Sequence, residues 1–234
     1  MAADDYVLVQ GIRATRGTLE RWQERPWPIL RGWFALSLAI AGALLAAVWL
    51  VAQVATPDPT SLFIPGIDGP PDAGDAARIL GSNALVLALH AMACVAGFIA
   101  GSSMRLEAER RTGLGRAIHV KAGAIAIAWV GLVTAFSLVT QAYALGSIGA
   151  DLAGNLAISP TALALTVLPH ALLELVALFL PLAAWLLASR RGAWDQLMAA
   201  TFVTVAIAIP MLVASAIIEL TLWPLLLEAV SPIA

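Results

Sequence analysis

Apolar residues in this chain do not recur with the period of one helical face or one strand; they fill whole windows. Nearly uninterrupted runs occupy roughly 33–55, 80–104, 118–141, 161–188 and 198–223. Crossing about 30 Å of hydrocarbon takes a helix of roughly 20 predominantly apolar residues. The pattern therefore predicts an all-α, polytopic transmembrane helical bundle of about five spans. A Pro/Asp/Gly-rich stretch (Thr56 to Ile79), an arginine-rich one (Arg105 to Ala117), a small Gly/Asp/Asn/Ser stretch (Gly146 to Pro160) and the turn Ser189 to Gly192 read as the connections. The last apolar run continues to Val230 and contains Pro210 and Pro224, which predicts a kinked span followed by a short interfacial helix. Pro169 either kinks a long fourth helix or starts a shorter one after a re-entrant turn.

Ahead of this single transmembrane domain, residues 33–230, lies a basic segment, residues 1–32. Its Ile12, Leu19 and Trp22 recur near helical spacing while Arg13, Arg16 and Glu20 take other faces, as in a helix lying on the cytoplasmic leaflet. Trp22, Trp27 and Trp33 suit the membrane interface, where an amphipathic ring satisfies both phases. The segment mixes charges with tryptophan ahead of an apolar stretch too long for a signal h-region, so it is expected to stay on the protein.

Composition narrows the class further. The chain is 61% hydrophobic and only 12% charged, with a mean hydropathy of +0.89, which excludes a soluble domain. A net charge of −2 offers no dense basic face, so nucleic acid is not expected as a partner. The distribution of charge predicts orientation, because Lys and Arg accumulate in cytoplasmic loops. Arg13, Arg16, Arg21, Arg25 and Arg31 precede the first span; Arg105, Arg110, Arg111, Arg116 and Lys121 border the second and third; Arg190 and Arg191 follow the fourth. With five spans these fall on one side and Arg78 alone on the other, which places the N-terminus inside and the C-terminus outside.

An ionisable side chain at mid-membrane costs about 2.5–3.5 kcal/mol on insertion scales, so each one is a candidate for a buried polar contact or a site. Asn83, His90 and Gly97 repeat every seventh residue on one helical face, and Gly101 completes a G-x-x-x-G with Gly97, the pattern of a helix-packing surface. His170 and Glu174 form an i,i+4 pair, and Glu219 sits in the last span. The predicted orientation brings Asn83, His90, His170, Glu174 and Glu219 toward the extracytoplasmic half. There they form either a polar pocket opening away from the cytoplasm or structural contacts between helices. The His170/Glu174 spacing suits metal ligands, but the sequence has no H-E-x-x-H and no Ser or Cys placed beside a base. No metal, cofactor or catalytic residue is expected. The lone Cys94 excludes a disulfide framework, and without a phosphate-binding loop any ATP dependence requires a separate partner.

The segment Leu168-Pro169-His170-Ala171-Leu172-Leu173-Glu174-Leu175 resembles the Leu-Pro-His-Gly-x-x-Glu-Leu motif of the stage II sporulation protein M family, with Ala171 in place of Gly. Ile218-Glu219 followed by Pro224 is similar to the family's closing Ile-Glu-Ala-Phe-x-x-Pro, with Leu220 and Thr221 departing from it. Asn83, Gly97 and Gly101 are similar to positions of the family's second span. The resemblance covers about residues 75 to 225. It implies a multi-pass protein of the bacterial cytoplasmic membrane, a non-catalytic envelope component that organises peptidoglycan-remodelling partners such as a cell-wall enzyme. Distant similarity to the permease halves of export ABC transporters implies an alternative, a subunit that homodimerises and docks a separate ATPase on the Arg105 to Arg116 loop. An intramembrane enzyme using His170 and Glu174 is the third class.

Overall fold

The computed structural model describes residues 7–58, 64–103 and 112–233. Among them the chain is all-α, with α1 (Val7–Glu24), α2 (Trp27–Val54), α3 (Ala73–Phe98), α4 (Gly113–Asn155), α5 (Pro160–Arg191) and α6 (Leu197–Val230). A π-helical turn at Ile99–Ser103 closes α3, and a 3-10 turn at Trp194–Gln196 leads into α6. Five segments, Trp27–Val54, Ala73–Gly101, Ala128–Asn155, Pro160–Arg191 and Trp194–Val230, are long and apolar enough to cross a membrane, as a multi-pass membrane protein requires. Arg105, Arg110 and Arg111 of the basic stretch lie outside the described residues, as do the side chains of Ile12, Arg13, Arg116 and Lys121.

Local chemistry sets the helix ends. Pro26 offers its carbonyl to the amides of Ile29 and Leu30, both at 3.1 Å, and Pro28 falls in the first turn, where a missing N–H costs nothing. Helix α2 therefore starts at Trp27, ahead of the expected boundary at 33. At α3, Asp72 Oδ1 accepts from the Asp75 amide at 2.9 Å while Asp75 Oδ2 accepts from the Asp72 amide at 3.2 Å, a reciprocal cap. Arg78 then pairs with Asp75 at 2.7 Å. Helix α4 ends in a Schellman arrangement: Ala157 takes φ 53°, its amide reaches Gly154 O, and Ile158 N reaches Ala153 O at 3.0 Å. Ser159 caps α5 at once, its Oγ accepting from Ala162 N at 3.1 Å, with Pro160 as the first helical residue. Gly192, at φ 67°, closes α5 the same way, with Ala193 N on Ala188 O.

Two expectations are corrected. The stretch from Gly146 to Asn155 is helix, the end of α4, rather than connection. Gly146 is small because α2 passes close by: a Cβ there would lie 2.5 Å from Val51 Cβ and 2.8 Å from Val48 O. Helix α6 runs unbroken through Pro210 and Pro224 to Val230, leaving no separate interfacial helix. Of the two alternatives left open at Pro169, α5 is the long helix, with no re-entrant turn. Neighbouring helices can re-satisfy the backbone that a proline frees, which is why such helices persist in an apolar medium.

The chain divides into two compact units. The first comprises Met1–Ser37, Leu87–Thr134 and Leu178–Ala208. Its centre is the middle of α5, where every residue from Leu178 to Trp185 is buried. Gly97 and Gly101 act as sockets for indole rings: a Cβ on Gly97 would sit 2.7 Å from Trp185 Nε1, and one on Gly101 would collide with Trp194. Helix α1 packs on the Trp194–Gln196 turn, and Trp22 meets Trp33 edge-on with ring centres 5.3 Å apart. The second unit comprises Leu38–Val86, Ala135–Ala177 and Ile209–Ala234. One end is closed by a cluster of Ile64, Ala153, Leu156, Leu163 and Leu227. Ile64 belongs to the loop after α2, and Ser231 Oγ donates to Leu156 O at 2.8 Å.

The Gly146 contact generates a stability prediction. Gly146→Ala should cost about 1–3 kcal/mol through overpacking. Gly149→Ala, whose Cβ would meet only Ala52 at 3.8 Å, should be neutral or slightly stabilising. Thermal unfolding of both variants in detergent checks the difference.

Candidate functional site

Within the second unit lies a cavity of about 680 Å³. Its wall is mostly aliphatic, built from Leu44 and Val48 of α2, Leu145 and Ile148 of α4, and Leu163, Val167 and Leu175 of α5. The polar groups are few and converge from three helices: Ser82 and Asn83 from α3, His170 and Glu174 from α5, and Glu219 from α6. Helical spacing explains the convergence on α5, where i,i+4 places His170 and Glu174 on one face.

Two of these residues are tied together by one hydroxyl. Ser215 Oγ donates toward His170 O at 3.1 Å and Glu174 Oε2 at 3.4 Å, linking α6 to α5. The Asn83 side chain interacts with the Glu174 carboxyl, but its amide nitrogen completes no hydrogen bond of good geometry. Glu219 lies in electrostatic range of both Glu174 and Arg78. The His170 ring tilts against Trp223 with centres 5.4 Å apart, and both His170 Nδ1 and Trp223 Nε1 are buried without a partner. At the α2 side of the cavity, Thr161 Oγ1 accepts from Trp49 Nε1 and Gln53 Nε2, each at 3.1 Å.

Of the five expected cluster residues, Asn83, His170, Glu174 and Glu219 line this cavity and His90 does not. His90 belongs to the first unit, where its Nδ1 donates to Leu178 O at 2.9 Å and its ring tilts on Phe179 at 5.5 Å. Pro181, three residues further along α5, supplies no N–H, which leaves Ala177 O, four residues before it, without its helical donor. Cys94 uses the same region, donating from Sγ to Pro181 O at 3.1 Å. A seven-residue step keeps Asn83 and His90 on one face but separates them by about 10 Å along the axis.

Ser215 and Trp223 were not anticipated. The signal was available, since both stand four residues from Glu219 on α6 and so share its face. Ala171, which replaces the Gly of the motif it resembles, also lines the cavity, so its methyl takes space from the cavity. Among the described residues no group of three or more His, Cys, Asp or Glu side chains is arranged to hold a metal ion.

Compared with protein-family models, curated proteins and solved structures, the chain matches none.

The two carboxyl groups should behave as one system. Glu174→Gln and Glu219→Gln, measured singly and together by thermal unfolding, should depart from additivity by at least about 0.5 kcal/mol. Strictly additive effects would count against their contact.

Proposed function

We propose that this chain is a non-catalytic, multi-pass component of a bacterial cell-envelope complex that holds partner proteins in the cytoplasmic membrane, as its resemblance to the stage II sporulation protein M family implies. The observation that supports this reading is that Asn83, His170, Glu174 and Glu219, residues on which the resemblance rests, line a single cavity although they are far apart in sequence. A motif that is one spatial unit is a better sign of a shared design than the same letters scattered over the chain. In that unit Glu174 and the His170 backbone are engaged by Ser215, a contact that joins helices. The partners are a cell-wall enzyme or another envelope protein, with the lipid bilayer around the apolar helices.

The reading places the N-terminus in the cytoplasm, from the distribution of Arg and Lys. The cavity then belongs to the extracytoplasmic half, because the second unit contains the C-terminal end of α2 and the N-terminal ends of α3 and α5.

Orientation is tested with single cysteines, native Cys94 being buried. In intact cells Ser159→Cys should react with an impermeant thiol reagent and Thr112→Cys should not; labelling at Thr112→Cys overturns the topology. The role itself is tested by affinity purification from native membranes in mild detergent with mass spectrometry. A cell-wall enzyme retained by wild type and reduced in Glu174→Gln is the expected result. A cytoplasmic ATPase instead would move the assignment to a permease subunit, and purification with no partner would overturn the scaffold reading.

A further inference from the structure

The cavity contains an imbalance that the contacts described so far leave standing. Three nitrogens on its lining side chains, Asn83 Nδ2, His170 Nδ1 and Trp223 Nε1, are buried and complete no hydrogen bond of good geometry, the Asn83 side chain interacting with the Glu174 carboxyl. Asn83 and His170 are each only 7% exposed, so bulk water does not reach these atoms. A buried polar atom without a partner is costly, and native structures hold few of them. The Asn83 and Trp223 N–H groups call for acceptors, and the His170 nitrogen donates or accepts according to its tautomer, so the three point to an occupant whose head both accepts and donates.

The rest of the lining limits what that occupant is. Water would satisfy the nitrogens but gain nothing from the aliphatic wall that makes up most of the surface. Leu145, Ile148 and Leu165 at the cavity rim are about half exposed or more, and on apolar helices such side chains face the hydrocarbon. An apolar chain can therefore enter from the bilayer. Two carboxyl groups stand beside the orphan nitrogens and disfavour a phosphate or carboxylate head. A hydroxyl suits the mixed surface, because it accepts from N–H groups and donates to carboxyl oxygens. The volume of about 680 Å³ is that of a site enclosing one small molecule, which selects a single chain.

We propose that the cavity is a binding site for an uncharged, single-chain amphiphile with a hydroxyl-bearing head, its head among Asn83, His170, Glu174 and Trp223 and its chain against the leucines of α2, α4 and α5. The site goes beyond the holding of partner proteins and does not depend on it.

Native mass spectrometry of the full chain from detergent, titrated with 1-monooleoylglycerol, tests the site. Wild type should take up one equivalent, and lysophosphatidate carrying the same chain should bind at least about tenfold more weakly. Asn83→Leu, which removes a head contact, should weaken the glyceride by about tenfold. Gly149→Leu fills the cavity from a position where a Cβ meets only Ala52 at 3.8 Å, so it should fold and lose the adduct. The proposal is overturned if wild type takes up no glyceride, if lysophosphatidate binds equally well, or if Gly149→Leu keeps the adduct. A stable dimer free of glyceride, with the cavity closed by a second copy, overturns it as well.

Discussion

In hydrocarbon there is no water to accept a stray hydrogen bond, so each backbone N–H and C=O of a spanning segment must be paired within the protein. Four prolines inside α5 and α6, Pro169, Pro181, Pro210 and Pro224, each delete a donor from that accounting. Side chains of neighbouring helices add contacts close to two of these prolines: His90 and Cys94 of α3 reach Leu178 O and Pro181 O, and Ser215 of α6 reaches His170 O. Part of the polar content of these apolar helices is thereby spent on side-chain to backbone contacts between helices. What remains after that subtraction is the part that calls for a function.

The subtraction separates residues that look alike in the sequence. His90 and His170 are both lone histidines in apolar windows, and both fall on helical faces that carry other polar groups. One lies against the turn before Pro181 and spends its Nδ1 on Leu178 O. The other follows a proline, offers its own carbonyl to Ser215, and keeps its Nδ1 unpartnered. Spacing along one helix reports a shared face; depth and the neighbouring helix decide the role.

The same distinction explains which features were legible. The five apolar windows and the turn at Ser189 to Gly192 are local signals, and each is met by a long helix or a helix end. Gly146 was misread because a glycine in a Gly/Asp/Asn/Ser stretch signals a turn, whereas here it clears a path for Val48 and Val51 of α2. No local pattern distinguishes these uses. Asn83, His170, Glu174 and Glu219 stood out as polar residues in apolar runs. Ser215 did not, because a serine in a membrane helix is ordinary until the carboxylate opposite it is known. The indole sockets at Gly97 and Gly101 were half legible: the small-residue spacing announced a close approach, and only the fold shows that Trp185 and Trp194 fill it.

Trp185 also supplies an internal comparison. Its Nε1 is buried and unpartnered, like that of Trp223. Trp185 sits in close packing against Gly97, where a single methyl would not fit. No occupant can be accommodated at that contact, so its unpaired N–H is a cost the packing bears. Trp223 lines a cavity of about 680 Å³ that it shares with two further orphan nitrogens and two carboxyl groups. The same chemical deficiency therefore has opposite readings, and free volume decides between them: where there is none the deficiency is structural, and where there is room for a molecule it describes the molecule that fits.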